Sequence, residues 1–282
     1  MSGMGWRIAV VGLGLALALG AARAAEPSRV EPSGAEPTVA VAVGGTAFVV
    51  RLLPEGRTLD QDELVGAVLD VADEEGRPLT VRIDGHAVDP GDPAGEVVLY
   101  KLSALDQGGA WQELCSPDPA GERWAFPLAG VWTAAGEHRT ADPGAFNVTC
   151  TSGAVGKCVR AGYKPWAKAA DGTPLWDHHQ ACVRMFRADY CGDGGATTRD
   201  GTAIDIYDVL SIQTSDPRPG MGFEAGWGPD GAVCIARPRI PENIGLEALE
   251  RRCPAKLKGR TGAAACTEDK ARAAGALILN KS

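Results

Sequence analysis

No Cys-x-x-Cys pair occurs in this 282-residue chain, although it holds 8 cysteines. That absence argues against thioredoxin-like dithiol chemistry and the common zinc motifs. Hydrolase and nucleotide signatures are missing as well: the sequence has no Gly-x-Ser-x-Gly, no His-Glu-x-x-His and no phosphate-cradling P-loop. No apolar run after the first twenty residues approaches the ~20 needed to span a hydrocarbon core. No cysteine stands just after the early apolar run, which argues against a lipoprotein anchor.

The early run has the order of a secretory leader. Arg7 supplies positive charge, Ile8 to Leu19 is unbroken and apolar, and Ala22-Arg23-Ala24 gives the small-x-small pattern of a cleavage site. The reading is a signal peptide over 1–24, cut after Ala24, with Ala25 as the alternative. The run is too short for a retained anchor, so the mature form is expected to have no membrane span and to be secreted or periplasmic. In an oxidising compartment an even cysteine count predicts four structural disulfides among Cys115, Cys150, Cys158, Cys182, Cys191, Cys234, Cys253 and Cys266. Connectivity is not readable from sequence, but the short loop between Cys253 and Cys266 makes that pair the favoured local one.

Charge is unevenly divided. Residues 25–114 carry 17 acidic and 6 basic side chains, whereas residues 115–282 carry 19 acidic and 20 basic. An acidic first half disfavours nucleic acid and anionic lipid as partners.

The pattern predicts an α+β chain: an N-terminal antiparallel β-rich part, then a disulfide-rich mixed α/β part. Residues 25–44 are rich in Pro, Ala and Glu and read as a linker. Residues 45–145 read as a β-rich domain or subdomain. Strands are expected at Ala47–Leu52, Leu64–Val71, Leu79–Asp84, Glu96–Leu102, Trp124–Leu128 and Gly130–Trp132, with turns at Asp84-Gly85 and Asp89–Pro93. In residues 146–282, helices are expected at Ser152–Ala161, His178–Ala188 (capped by Asp177), Leu246–Arg252 and Glu268–Ala274 (capped by Thr267). Short strands fit Ala203–Ile206, Ala232–Ala236 and Ala276–Leu279.

This second part carries a compound set of words: Cys150–Cys158, Gly162–Trp166, Ala181–Gly194 and Thr198–Asp208, with Trp227–Gly231 and Cys253-Pro254 beyond them. Together they resemble the ADYC-domain family, named for the string Ala188-Asp189-Tyr190-Cys191. The resemblance implies a secreted bacterial protein and brings no activity with it.

Three clusters could carry chemistry. Asp189, Asp193, Asp200, Asp205 and Asp208 lie among glycines and could offer oxygens to a hard cation, but the spacing is not that of an EF-hand. Turn-building and capping by these aspartates is the favoured role, and no metal or other cofactor is expected. His178 and His179 open a helix one turn before Cys182, an arrangement that would suit metal or nucleophile chemistry only with a free thiol. Tyr163, Trp166 and Trp176 would form a ligand platform if exposed. The functional expectation is therefore a non-enzymatic binding or structural module of the cell surface or periplasm, with a cell-surface or extracellular ligand. Its rival is a secreted enzyme using His178, His179 and the Asp189–Asp208 cluster.

Overall fold

The computed structural model describes residues 6–8, 38–73, 76–133, 138–139 and 145–282. The expected cleavage site at Ala24, nearly all of the leader's apolar run and residues 25–37 lie outside these residues. The chain is α+β: β-rich in its N-terminal part, with five α-helices and three of four disulfides in its C-terminal part.

Eleven strands come first: β1 (Trp6–Ile8), β2 (Thr38–Gly44), β3 (Ala47–Leu53), β4 (Val68–Ala72), β5 (Pro78–Val88), β6 (Val98–Leu105), β7 (Trp111–Glu113), β8 (Trp124–Ala129), β9 (Val131–Trp132), β10 (His138–Arg139) and β11 (Phe146–Cys150). Seven form an antiparallel sheet in the order β5-β4-β1-β11-β8-β6-β7, and β5 also pairs with β6, so the sheet curls closed. Alternation along the strands sorts side chains to its two faces. Leu69, Val71, Val81, Ile83, Tyr100, Leu102, Phe146 and Val148 fill the inside, where the β2–β3 hairpin adds Phe48 and Val50. Phe48 meets Tyr100 and Phe146 edge to face, at 5.0 and 5.5 Å between ring centres. The Tyr100 hydroxyl donates to Gln61 and accepts from the Phe48 N–H, and burial pushes its pKa up to about 12.

Several expected boundaries shift. Thr38–Gly44, expected as linker, forms β2. Asp84-Gly85, expected as a turn, lies inside β5, because a register shift between Ile83 and Gly85 absorbs it as a bulge. Leu64, expected in a strand, closes a 3₁₀ turn at Asp62–Leu64 and drops into the core.

The outer face of the sheet is also apolar and receives the second part of the chain. Val97, Leu99, Phe126, Leu128 and Trp132 pack against Val159 of α1 (Ala154–Arg160) and Trp176 at the start of α2 (Trp176–Arg187). Ion pairs edge this junction: Arg160 with Asp89 at 2.6 Å, and Lys164 with Asp92 at 2.9 Å and Glu96 at 2.8 Å. Helix α2 in turn covers a second antiparallel sheet of order β12-β15-β13-β14, made of β12 (Asp205–Asp208), β13 (Phe223–Gly228), β14 (Gly231–Ile235) and β15 (Ile278–Lys281). Between β14 and β15 run α3 (Leu246–Arg252), α4 (Pro254–Leu257) and α5 (Glu268–Ala273), the last capped by Thr267, which accepts the Lys270 N–H. Helix α2 begins earlier than expected: Leu175 is its N-cap, because its carbonyl already accepts the His179 N–H, and Asp177 sits inside the first turn.

All eight cysteines are paired, as Cys115–Cys150, Cys158–Cys182, Cys191–Cys253 and Cys234–Cys266. The expected Cys253–Cys266 pair is not formed. A short loop is cheap to close in an unfolded chain, but the fold uses each of these cysteines to tie a C-terminal element to a distant one.

Candidate functional site

The string Ala188–Cys191 leaves the C-terminus of α2, and each of its residues has a distinct physical task. Ala188 adopts a left-handed conformation (φ 49°, ψ 43°) that stops the helix, its N–H bonding back to Met185 O. A non-glycine residue pays roughly 1–2 kcal/mol for that backbone, and here the methyl group is fully buried in the core between α2 and the second sheet. Asp189, also fully buried, organises the next turn. Its carboxylate accepts the N–H groups of Gly192 (2.9 Å), Asp193 (3.2 Å) and Gly194 (2.9 Å), and an ion pair from Arg184 at 2.8 Å.

Tyr190 stacks on Trp227 of β13, with ring centres 5.1 Å apart. Its hydroxyl donates to Glu224 at 2.9 Å and accepts the Arg239 N–H at 2.8 Å. Burial and the neighbouring Glu224 carboxylate push this phenol far above its ordinary pKa. Glu224, fully buried in β13, is met by Arg239 through Nε at 3.0 Å and Nη2 at 3.1 Å, and by Asn280 Nδ2 at 2.7 Å. Asn280 Oδ1 accepts the Trp227 indole N–H at 2.8 Å. Arg239 spends its other donors on the carbonyls of Met185 and Phe186 and the hydroxyl of Thr198. Every charge in this network therefore has a partner, which is the condition under which a buried ion pair is tolerable.

Cys191 completes the string by bonding to Cys253 at the end of α3. The Cys191 and Asp230 carbonyls both accept from Lys256 Nζ, so one ammonium clamps the two loops together.

The five aspartates expected to cluster are dispersed. Asp189 and Asp193 share one turn, where Asp193 pairs with Arg252 at 2.7 Å. Asp205 and Asp208 bound β12. Asp205 accepts from Ser215 and Asp216, and Asp208 accepts three backbone N–H groups and the Tyr163 hydroxyl at 2.9 Å. Asp200 is exposed and makes no hydrogen bond among the described residues. No group of three or more His, Cys, Asp or Glu among the described residues could hold a metal ion. Replacing Asp200 with Ala should leave the unfolding free energy within about 0.5 kcal/mol of wild type in urea titration. That corrects the expectation that all five aspartates cap turns.

Both helix histidines are inside. His179 is fully buried, its Nδ1 donating to Tyr163 O at 2.8 Å and its ring meeting Trp132 edge-on at 5.3 Å. Desolvation pulls its pKa down to about 4. His178 is buried with neither ring nitrogen hydrogen-bonded among the described residues; it stacks at 6.5 Å on Tyr163, whose hydroxyl goes to Asp208. Its pKa is lowered by burial, which outweighs Asp208, Asp177 and Asp171. Cys182 is cross-linked to Cys158 and offers no thiol. The aromatic platform also divides: Tyr163 is buried, Trp176 belongs to the junction, and Trp166 is exposed beside Gly45.

The His179 shift has a consequence for stability. Its folded-state pKa lies below its unfolded value, so the unfolded chain binds the proton more readily. Stability is intact above pH 6.5 and falls as the pH drops towards 4. The loss attributable to this one residue is about 3 kcal/mol. A His179→Met variant should start lower at pH 7 but show a flatter decline between pH 7 and 4 in urea titrations. Parallel slopes for the two proteins would contradict this assignment.

Sequence reading found the string but missed its partners Glu224, Arg239 and Asn280. The available signal was a lone carboxylate, Glu224, among apolar and glycine residues in Phe223–Gly228.

A family model described as the ADYC domain matches residues 61–241, a span that runs from the first sheet through the string to Arg239 and its neighbours. No curated protein and no solved structure matches the chain. With nearly two thirds of its length so matched, the chain belongs to the ADYC-domain family.

Proposed function

We propose that this disulfide-stabilised ADYC-domain chain is exported and acts without catalysis, as a binding or structural module of the cell surface or periplasm. The observation that carries the reading is how the polar groups of the string are used. Asp189, Tyr190, Glu224 and Arg239 are buried and bonded to one another or to backbone, which leaves them no capacity for substrate. The rival catalytic set is dispersed, with Asp208 engaged by four donors and Cys182 in a disulfide. Four disulfides suit an oxidising compartment. Among the described residues no helix is long and apolar enough to cross a membrane.

Loss of residues 1–24 at the expected cleavage site would take β1 with it. The remaining strands would stay joined, since β4, β5, β6, β8 and β11 pair in series without it. N-terminal sequencing of the protein recovered outside the cytoplasm should begin at Ala25 or Glu26. Intact Met1 in a membrane fraction would overturn the export reading. A melting temperature raised several degrees by calcium, and restored to its original value by Asp205→Ala, would overturn the metal-free reading.

A further inference from the structure

Among the described residues β2 pairs as a strand only with β3, and the bonds of β3 fix which groups lie on its other edge. The Phe48 N–H donates to Tyr100 Oη at 3.0 Å, the Phe48 carbonyl accepts from Gln61 at 3.0 Å, and the Val50 carbonyl accepts the Leu59 N–H at 2.8 Å. Phe48 and Val50 thus turn their backbone groups away from β2. Their cross-strand partners Val43 and Val41 must turn theirs away from β3, and Val39, two residues further, does the same. Among the described residues no hydrogen bond reaches these outward groups.

Three other edges among the described residues are protected. The edge of β14 bonds to Arg260 and Gly262, β12 carries an aspartate at each end, and β7 has three residues and ends in Glu113. Thr38-Val39-Ala40-Val41-Ala42-Val43-Gly44 has no charge, no proline and no bulge, the usual devices that keep an edge from pairing.

This strand is also its own complement. Val39 to Val43 read the same in both directions, so an antiparallel copy centred on Val41 sets valine against valine and alanine against alanine. The same register sets outward-facing residues opposite one another, each pair exchanging N–H···O bonds in both directions. A two-fold interface requires such self-complementarity. A chain of net charge −8 repels its own copy, and this uncharged stretch lets two copies approach without opposing like charges.

We infer that β2 pairs antiparallel with β2 of a second copy about Val41, joining two hairpins into one four-stranded sheet. The inference does not depend on the export reading. The valines keep their side chains against the core, and Ala40 and Ala42 lie exposed, each facing the other's counterpart across the two-fold axis.

Sedimentation equilibrium of the purified protein over a range of concentrations should give twice the chain mass at the upper end. Ala40→Lys with Ala42→Lys opposes lysines across the axis and should raise the dissociation constant at least about tenfold. Ala40→Lys with Ala42→Glu opposes Lys to Glu and should retain the dimer, while both variants keep the wild-type melting curve of the monomer. A single-chain mass at every concentration, or a dimer indifferent to the paired lysines, would overturn the inference.

Discussion

Replacing Arg239 with methionine is expected to destabilise the fold by about 3–5 kcal/mol, because it strands the Glu224 carboxylate in the protein interior. Glu224 has no exposed surface, and among the described residues the guanidinium is its only cationic partner. The Tyr190 hydroxyl and the Asn280 amide would still donate to it, but neither supplies charge. At the end of α2 the Phe186 carbonyl would lose the Arg239 donor in the same step, and the Met185 carbonyl would keep only the Ala188 N–H. Adding Glu224→Leu should recover part of the loss, since an apolar pair leaves no buried charge behind. The double variant should therefore lie above Arg239→Met alone in a urea titration. A double variant that is worse by the sum of the two single effects would mean the residues act independently.

Gly192→Ala should be comparably severe, at about 4 kcal/mol or more, for a steric reason. A Cβ at Gly192 would sit 1.6 Å from the Asp230 carbonyl oxygen, and the backbone there has φ +71°, which an L side chain rarely adopts. The Asp230 carbonyl cannot retreat, because Lys256 holds it to the Cys191 carbonyl and Ala232 N–H bonds to Tyr190 O at 2.9 Å. Gly231 mirrors the constraint: its Cβ would meet Tyr190 O at 2.7 Å. Gly201→Ala, at a similar φ of +80° but in open space, should cost only the backbone strain of roughly 1 kcal/mol. Equal midpoints for Gly192→Ala and Gly201→Ala in thermal or urea unfolding would show that the close approach of the two loops has no energetic weight.

What the sequence made legible was local. Helix α3 falls at the expected Leu246–Arg252, and α5 follows the Thr267 cap with Gly275 (φ +87°) just after it, because capping and termination are decided within one turn. β-rich or apolar runs likewise marked β3, β6 and β8, and alternation marked Leu79–Asp84 within β5. Long-range pairing was not legible. Strand β13 went unread because Glu224 interrupts its pattern, and the Arg239 that makes this carboxylate acceptable arrives from a different loop. The disulfide pairing failed for the same reason: which cysteines meet is set by the packing of α3, α5 and the second sheet. The string Ala188–Cys191 could be recognised as a word, but its meaning depends on Trp227, Asp230 and Lys256, which only folding brings beside it.

The string Ala188–Cys191 joins α2 to the second sheet as a junction ordered by its own bonds. Native-state hydrogen exchange of the Gly192 and Gly194 amides, both held by Asp189, tests it most directly. If the account holds, they exchange only through global unfolding, with a free energy equal to that from urea titration. Exchange through a low-energy local opening, with the rest of the fold still protected, would contradict it and leave the string as a mobile site.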